Sequence, residues 1–216
     1  MGVVDVSVPS HPIHVGSVRF AGFANSIVVQ DSVAFVTTGP SLEIIDVSSP
    51  AHPTNISHVD ADVYAFDVAV AGTYAYVADE NAGMHVIDVS QPSQPVIVGT
   101  VGTSRATGIA VAGSFAYVAD WLDGLVVIDV SEPSSPTIVG TLDLPSLAYR
   151  VRIDGAYAYV GAARLISVVD VSSPANPTFV GSAGVPGFAG ALVVAGPYLF
   201  VAATTFTVLP AQCDVP

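Results

Sequence analysis

Lysine is absent from this sequence, and its five arginines stand against 18 acidic residues, giving a formal charge of −13. Nucleic-acid binding needs a basic stripe that displaces counterions from phosphates, and five scattered arginines cannot form one. Attraction to anionic lipid surfaces is excluded on the same electrostatic ground. Cysteine occurs once, as Cys213, so no internal disulfide can form. Long apolar runs are also missing. Although 51% of the residues are hydrophobic, Gly, Pro, Asp or Ser interrupts each run well short of the ~18 residues of a membrane helix. The apolar content must therefore be buried within the chain. Met1-Gly2 leads straight into patterned sequence, without a charged n-region or an apolar h-region, so the expectation is a cytosolic chain or one whose leader is missing. The closing stretch, Pro210 to Pro216, reads as a tail without a closing element, which suggests a part of something longer.

What is present is a repeat. The aspartate of Leu125-Val126-Val127-Ile128-Asp129-Val130-Ser131 has counterparts at Asp5, Asp46, Asp88 and Asp170, at intervals of 41 or 42 residues. Prolines follow at Pro9, Pro50, Pro92, Pro133 and Pro174, and again three residues later. A turn position recurs as Asp31, Gly72, Gly113, Gly155 and Gly196, and an aromatic as Phe35, Tyr76, Tyr117, Tyr159 and Phe200. Helical repeats of similar length cannot accommodate two prolines, a turn glycine and a Val/Ile/Tyr run in every unit. Four short strands, here named A to D, fit each unit instead, as in the blade of a β-propeller whose sheet is covered on both faces by its neighbours.

The Leu125–Ser131 segment, with its echoes Met84–Ser90 and Leu42–Ser48, resembles the LVIVD repeat of bacterial and archaeal surface or secreted β-propeller proteins. That resemblance implies an all-β propeller of four-stranded blades and an extracellular or cell-surface location. It implies no particular activity. Full blades are expected at about 23–60, 65–101, 106–142 and 147–183, with a split fifth blade from 1–20 plus 188–210 and a tail at 211–216. One domain then covers 1–210, and pairing of N- and C-terminal strands closes the ring. Residues 205–210 also read as a C strand, so they compete with residues 2–7 for one place.

No catalytic signature rises above the repeat: there is no Gly-x-Ser-x-Gly elbow, and no His, Ser and Asp share a loop face. The repeated aspartates read as caps of the proline turns rather than as a calcium ring. His11 and His52 fall where other repeats carry Gln94, Ser135 and Asn176, a position that asks only for a polar side chain. Asn55-Ile56-Ser57 matches a glycosylation sequon. Loops that vary between blades are the places free to bind. The B–C and D–A loops share one face and hold the only tryptophan, so Trp121, Tyr64, Arg105, Asp120, Asp123, Asp79, Glu80 and Tyr149 are the expected partner contacts. Asp62 lies in the same set. Asp120 with Asp123, or Asp79 with Glu80, is the weaker alternative of a calcium site; no other cofactor or metal is expected. On strand A, Asp67 and Arg150 are expected to face the channel and to pair across it.

The reading is a non-enzymatic, extracytoplasmic repeat protein that binds a protein or surface partner through its loop face. One alternative is a structural subunit assembled into homo-oligomers or filaments by exchange of terminal strands. Another is a propeller enzyme with an acidic channel.

Overall fold

A computed structural model describes residues 1–211, and residues 61–63 by their backbone alone. Cys213 and the rest of the tail, and the side chain of Asp62, lie outside the described residues. Among the described residues all regular structure is strand. The first blade contains β3 (Ser26–Gln30), β4 (Val33–Thr37), β5 (Gly39–Asp46) and the start of β6 (Thr54–Ala71). The second takes the end of β6 with β7 (Tyr74–Asp79), β8 (Gly83–Asp88) and β9 (Val96–Val101). The third is β10 (Ala106–Ala112), β11 (Phe115–Asp120), β12 (Gly124–Asp129) and β13 (Thr137–Leu142), and the fourth β14 (Ala148–Asp154), β15 (Tyr157–Ala162), β16 (Leu165–Asp170) and β17 (Thr178–Gly184). The third and fourth are each a separate antiparallel A-B-C-D sheet, and the first two follow the same order within one seven-stranded sheet joined through β6.

Local chemistry sets these boundaries. The A–B turns need a left-handed residue, and they have it at Asp31, Gly72, Gly113, Gly155 and Gly196, with φ of 53°, 60°, 59°, 56° and 57°. After each C strand the repeated aspartate accepts the backbone N–H two residues on, at 2.8 Å in all five repeats, which turns the chain into the proline corner. Strands B and C are the most apolar because a neighbouring sheet covers each face. The core accordingly lies between blades: Met84 and Val86 of the second meet Ile109, Val118 and Ile128 of the third. Leu125 and Val127 of the third meet Val151 and Val160 of the fourth. Each such aliphatic side chain contributes ~1.5–3 kcal/mol on burial.

A second contact fixes the spacing between blades. Every C–D pairing has a bulge at the same place, and there strand D carries Gly16, Ser57, Gly99, Gly140 or Gly181. A Cβ at Gly16, Gly99 or Gly140 would lie 2.2–2.3 Å from the carbonyl of Pro50, Pro133 or Pro174 in the next blade. Ser57 instead donates its hydroxyl to the Pro92 carbonyl at 2.5 Å. The proline corner of one blade thus presses on the bulge of the one before it.

Two expectations are corrected. The first and second blades are not separated by a D–A loop, because β6 runs unbroken through both, and the segment Val59 to Tyr64 contains no glycine or proline to stop it. Nor do strands from the two termini complete one blade. β1 (Gly2–Asp5) and β2 (Ile13–Ser17) form a separate two-stranded sheet, while β18 (Ala191–Ala195), β19 (Tyr198–Ala202) and β20 (Phe206–Pro210) form a three-stranded one. β20 takes the place beside β19 because a short loop delivers it there, whereas β1 would have to be brought from the other end of the chain. Pro210 stands opposite Tyr198 as Asp170 stands opposite Tyr157.

Candidate functional site

The inner strands of the four blades, β3, the end of β6, β10 and β14, line a cleft of about 350 Å³ bordered by Val28, Val68, Ile109 and Arg152. Asp67 is the hub on this inner wall. Its carboxylate, 2% exposed, accepts the Ser26 hydroxyl at 2.6 Å, its neighbour's N–H at Val68 (3.0 Å) and the Ile109 N–H at 3.2 Å. Three blades therefore share one carboxylate. The expected partner across the channel is corrected from Arg150 to Arg152, whose Nη1 lies 3.9 Å from Asp67 Oδ2. Arg150 points elsewhere and donates to the backbone carbonyls of Thr107 at 2.7 Å and Tyr149 at 3.1 Å.

On the loop face, the eight expected contact residues separate into two groups. Asp79 and Asp120 are fully buried. Asp120 Oδ1 accepts the N–H groups of Leu122 and Asp123, and its Oδ2 accepts that of Arg105 at 2.7 Å. Asp79 does the same with Asn81, Ala82 and Tyr64. A polypeptide loop that doubles back leaves unpaired N–H groups, and an ionised carboxylate is the strongest acceptor available to them. These two aspartates therefore shape the loops, each holding three backbone N–H groups. Asp123 is exposed and accepts the Ser104 hydroxyl at 2.5 Å.

The other group forms a ladder across blades. Glu80 forms an ion pair with Arg105, whose guanidinium carbon lies 3.4 Å from the Trp121 ring centroid. Trp121 and Tyr149 follow at 5.7 Å, and Tyr149 meets the edge of Phe188 at 4.6 Å. Cation–π and edge-to-face contacts of this kind contribute about 0.5–2 kcal/mol each. Tyr64, half exposed, stacks on Phe66 at 6.0 Å farther along the face. The indole Nε1 of Trp121 is buried with no hydrogen-bond partner among the described residues.

A pattern missed in the sequence emerges from this face. The residue just before the buried alanines Ala65, Ala106, Ala148 and Ala189 is Tyr64, Arg105, Leu147 and Phe188, and Phe23 occupies the same place ahead of β3. Tyr64, Leu147, Phe188 and Phe23 are 50%, 40%, 48% and 91% exposed. The signal was available, since these positions keep the 41–42 residue spacing, but their residue types differ too much to look like a series.

The repeated aspartates, by contrast, are solvated turn residues. In Asp5 and Asp129 the backbone N–H, and in Asp46, Asp88 and Asp170 the side chain, of the serine two residues on is the larger of two hydrogen bonds that hold the carboxyl below the ordinary carboxylate range.

The sequence profile of the LVIVD repeat matches residues 1–19, 21–61, 63–103, 104–143 and 147–184. The chain belongs to the LVIVD repeat family. No curated protein matches its sequence. Among solved structures, a functionally unknown protein from Desulfotomaculum acetoxidans DSM 771 is similar, with a TM-score of 0.79 at 15% identity over 96% of this chain and 74% of that one. The computationally designed Ika8 protein is similar over 92% of this chain, with a TM-score of 0.72 at 10% identity, and this chain spans 62% of its length. At these identities the likeness concerns the fold alone. As an LVIVD repeat protein, this chain thus has a propeller-blade framework, with the framework aspartates and prolines on one face and the variable ladder on the other.

Proposed function

We propose that this LVIVD repeat protein is a non-enzymatic, extracytoplasmic binding module that holds a protein or cell-surface partner on its loop face. The observation that supports this most is the anchor position before strand A. In every blade it projects a large side chain outward, where folding alone calls for a polar residue, and contiguous exposed apolar groups ringed by polar ones are characteristic of contact surfaces. Tyr64→Ala and Phe188→Ala are expected to weaken capture of a cell-surface partner by at least ~10-fold each, as truncating an anchor does. Glu132→Ala, in a proline corner on the opposite face, serves as the control and leaves capture unchanged. Unchanged capture by both anchor variants would mean that the face is misassigned.

A second reading is favoured by a separate observation. The outer face of the β18–β20 sheet exposes Val193 (57%), Phe206 (71%) and Val208, and among the described residues no strand pairs with the free edge of β20. A second copy that supplies a strand there would give head-to-tail assembly. Deleting residues 205–216 should then dissolve any oligomer seen by native mass measurement, and oligomers that survive the deletion would remove this reading.

A further inference from the structure

Resting on the loop-face reading above, we propose that the occupant of this face is a cationic polypeptide segment, whose arginine or lysine side chains seat on the exposed aromatic rings as Arg105 seats on Trp121. Arg105 shows within the chain what the face can hold. Its guanidinium is stacked on the indole on one side and paired with the Glu80 carboxylate on the other. Other rings on the same face are open to solvent. Phe188 is half exposed at the end of the ladder, and Tyr64 and Phe23 border a pocket of about 390 Å³ with Asn25, Thr38 and Pro40. Exposed carboxylates stand along the same face at Asp60, Asp123 and Asp143. Arg105 is already paired with Glu80, so the opposing charge among the B–C loops is the exposed Arg164, against the carboxylates at Asp60, Asp123 and Asp143. The whole-chain charge of −13 without a lysine adds a long-range field of the same sign. An acidic partner would meet repulsion from that field, and a neutral apolar one would leave the carboxylates unpaired.

Trp121 is the only tryptophan, so its emission reports on the ladder directly. The probes are a synthetic peptide of about a dozen alternating arginine and serine residues and a matched peptide with glutamate in place of arginine. The arginine peptide should change Trp121 emission saturably, and its affinity should fall about tenfold or more between low and high salt because the pairing is screened. Phe188→Ala and Tyr64→Ala should each weaken it about 3- to 10-fold, as expected for the loss of a desolvated cation–π contact, with Glu132→Ala as control. Arg105→Ala should strengthen it several-fold, because it vacates the indole face and frees Glu80. Equal binding of the glutamate peptide, binding that ignores both anchor variants, or absence of binding would each overturn the proposal. Capture of a cell-surface partner that depends on Tyr64 and Phe188 yet is insensitive to salt and to competition by the arginine peptide would overturn this inference alone and leave the loop-face reading standing. Capture that ignores the anchors would remove both.

Discussion

Asp67→Ala removes a carboxylate that three blades share, and the size of its effect follows from what is left behind. The Ser26 hydroxyl is half-buried and can turn to water. The N–H groups of Val68 and Ile109, both in residues at most 3% exposed, cannot. Leaving a buried donor unpaired costs about 1–3 kcal/mol, and a hydrogen bond to a charged acceptor is at the upper end of that range. Two such donors give a loss of roughly 3–5 kcal/mol, the magnitude typical of breaking one partner out of a buried charged network. Arg152 adds little: it is 3.9 Å away with its side chain 39% exposed, so Arg152→Ala should cost ~1 kcal/mol or less. Asp67→Asn keeps one acceptor oxygen and should fall between the two. Urea unfolding followed by circular dichroism measures all three, with an unchanged denaturant slope indicating that the unfolded state is unaffected. An Asp67→Ala protein within about 0.5 kcal/mol of the parent would refute the claim that this carboxylate ties the inner strands together.

Other positions give sharper contrasts. Gly140→Ala puts a Cβ 2.3 Å from the Pro174 carbonyl, whereas the equivalent Gly181 has nothing within 4 Å. The first should lose roughly 1–3 kcal/mol in urea unfolding and the second almost nothing. Asp120→Ala orphans the N–H groups of Leu122, Asp123 and Arg105 and should cost roughly 2–4 kcal/mol, while the exposed Asp123→Ala stays near the parent, as thermal unfolding would show. For the five turn aspartates, the folded carboxyls lie below the ordinary value of 3.8, so the stability they contribute is complete above that value and is lost as the pH falls through the lowered folded values. Melting temperature against pH should therefore hold steady down to the ordinary carboxylate range and drop below it, and a decline that begins near neutrality would contradict this assignment.

The blade was legible because its framework depends on residues that few others can replace: a left-handed turn residue, an aspartate two residues before an N–H, a proline corner. The joining of β6 was not, since an unbroken strand and a loop of Asp, Val and Tyr look alike until the two sheets are placed side by side. Closure by the terminal strands failed for a related reason, because periodicity ranks residues 2–7 and 205–210 equally and only chain connectivity separates them. In the loops, Trp121, Arg105, Glu80 and Tyr149 were recognisable as variable residues, yet their ladder arises from the rotation between blades, which no spacing within one repeat encodes. Asp79 and Asp120 stand where strand B passes into the variable loop. Both end a B strand and precede a glycine by four residues, and that recurrence marks them as framework. Arg150 and Arg152 have the same strand parity, so only the three-dimensional position of Asp67 distinguishes them.

Hydrogen exchange on the chain alone and with its captured partner would test the loop-face assignment most directly. Added protection is expected at residues 22–25, 64–66, 80–82, 103–106, 121–124, 147–150 and 187–190, with the proline corners on the opposite face unaltered. Protection confined to those corners, or to the free edge of β20, would contradict it.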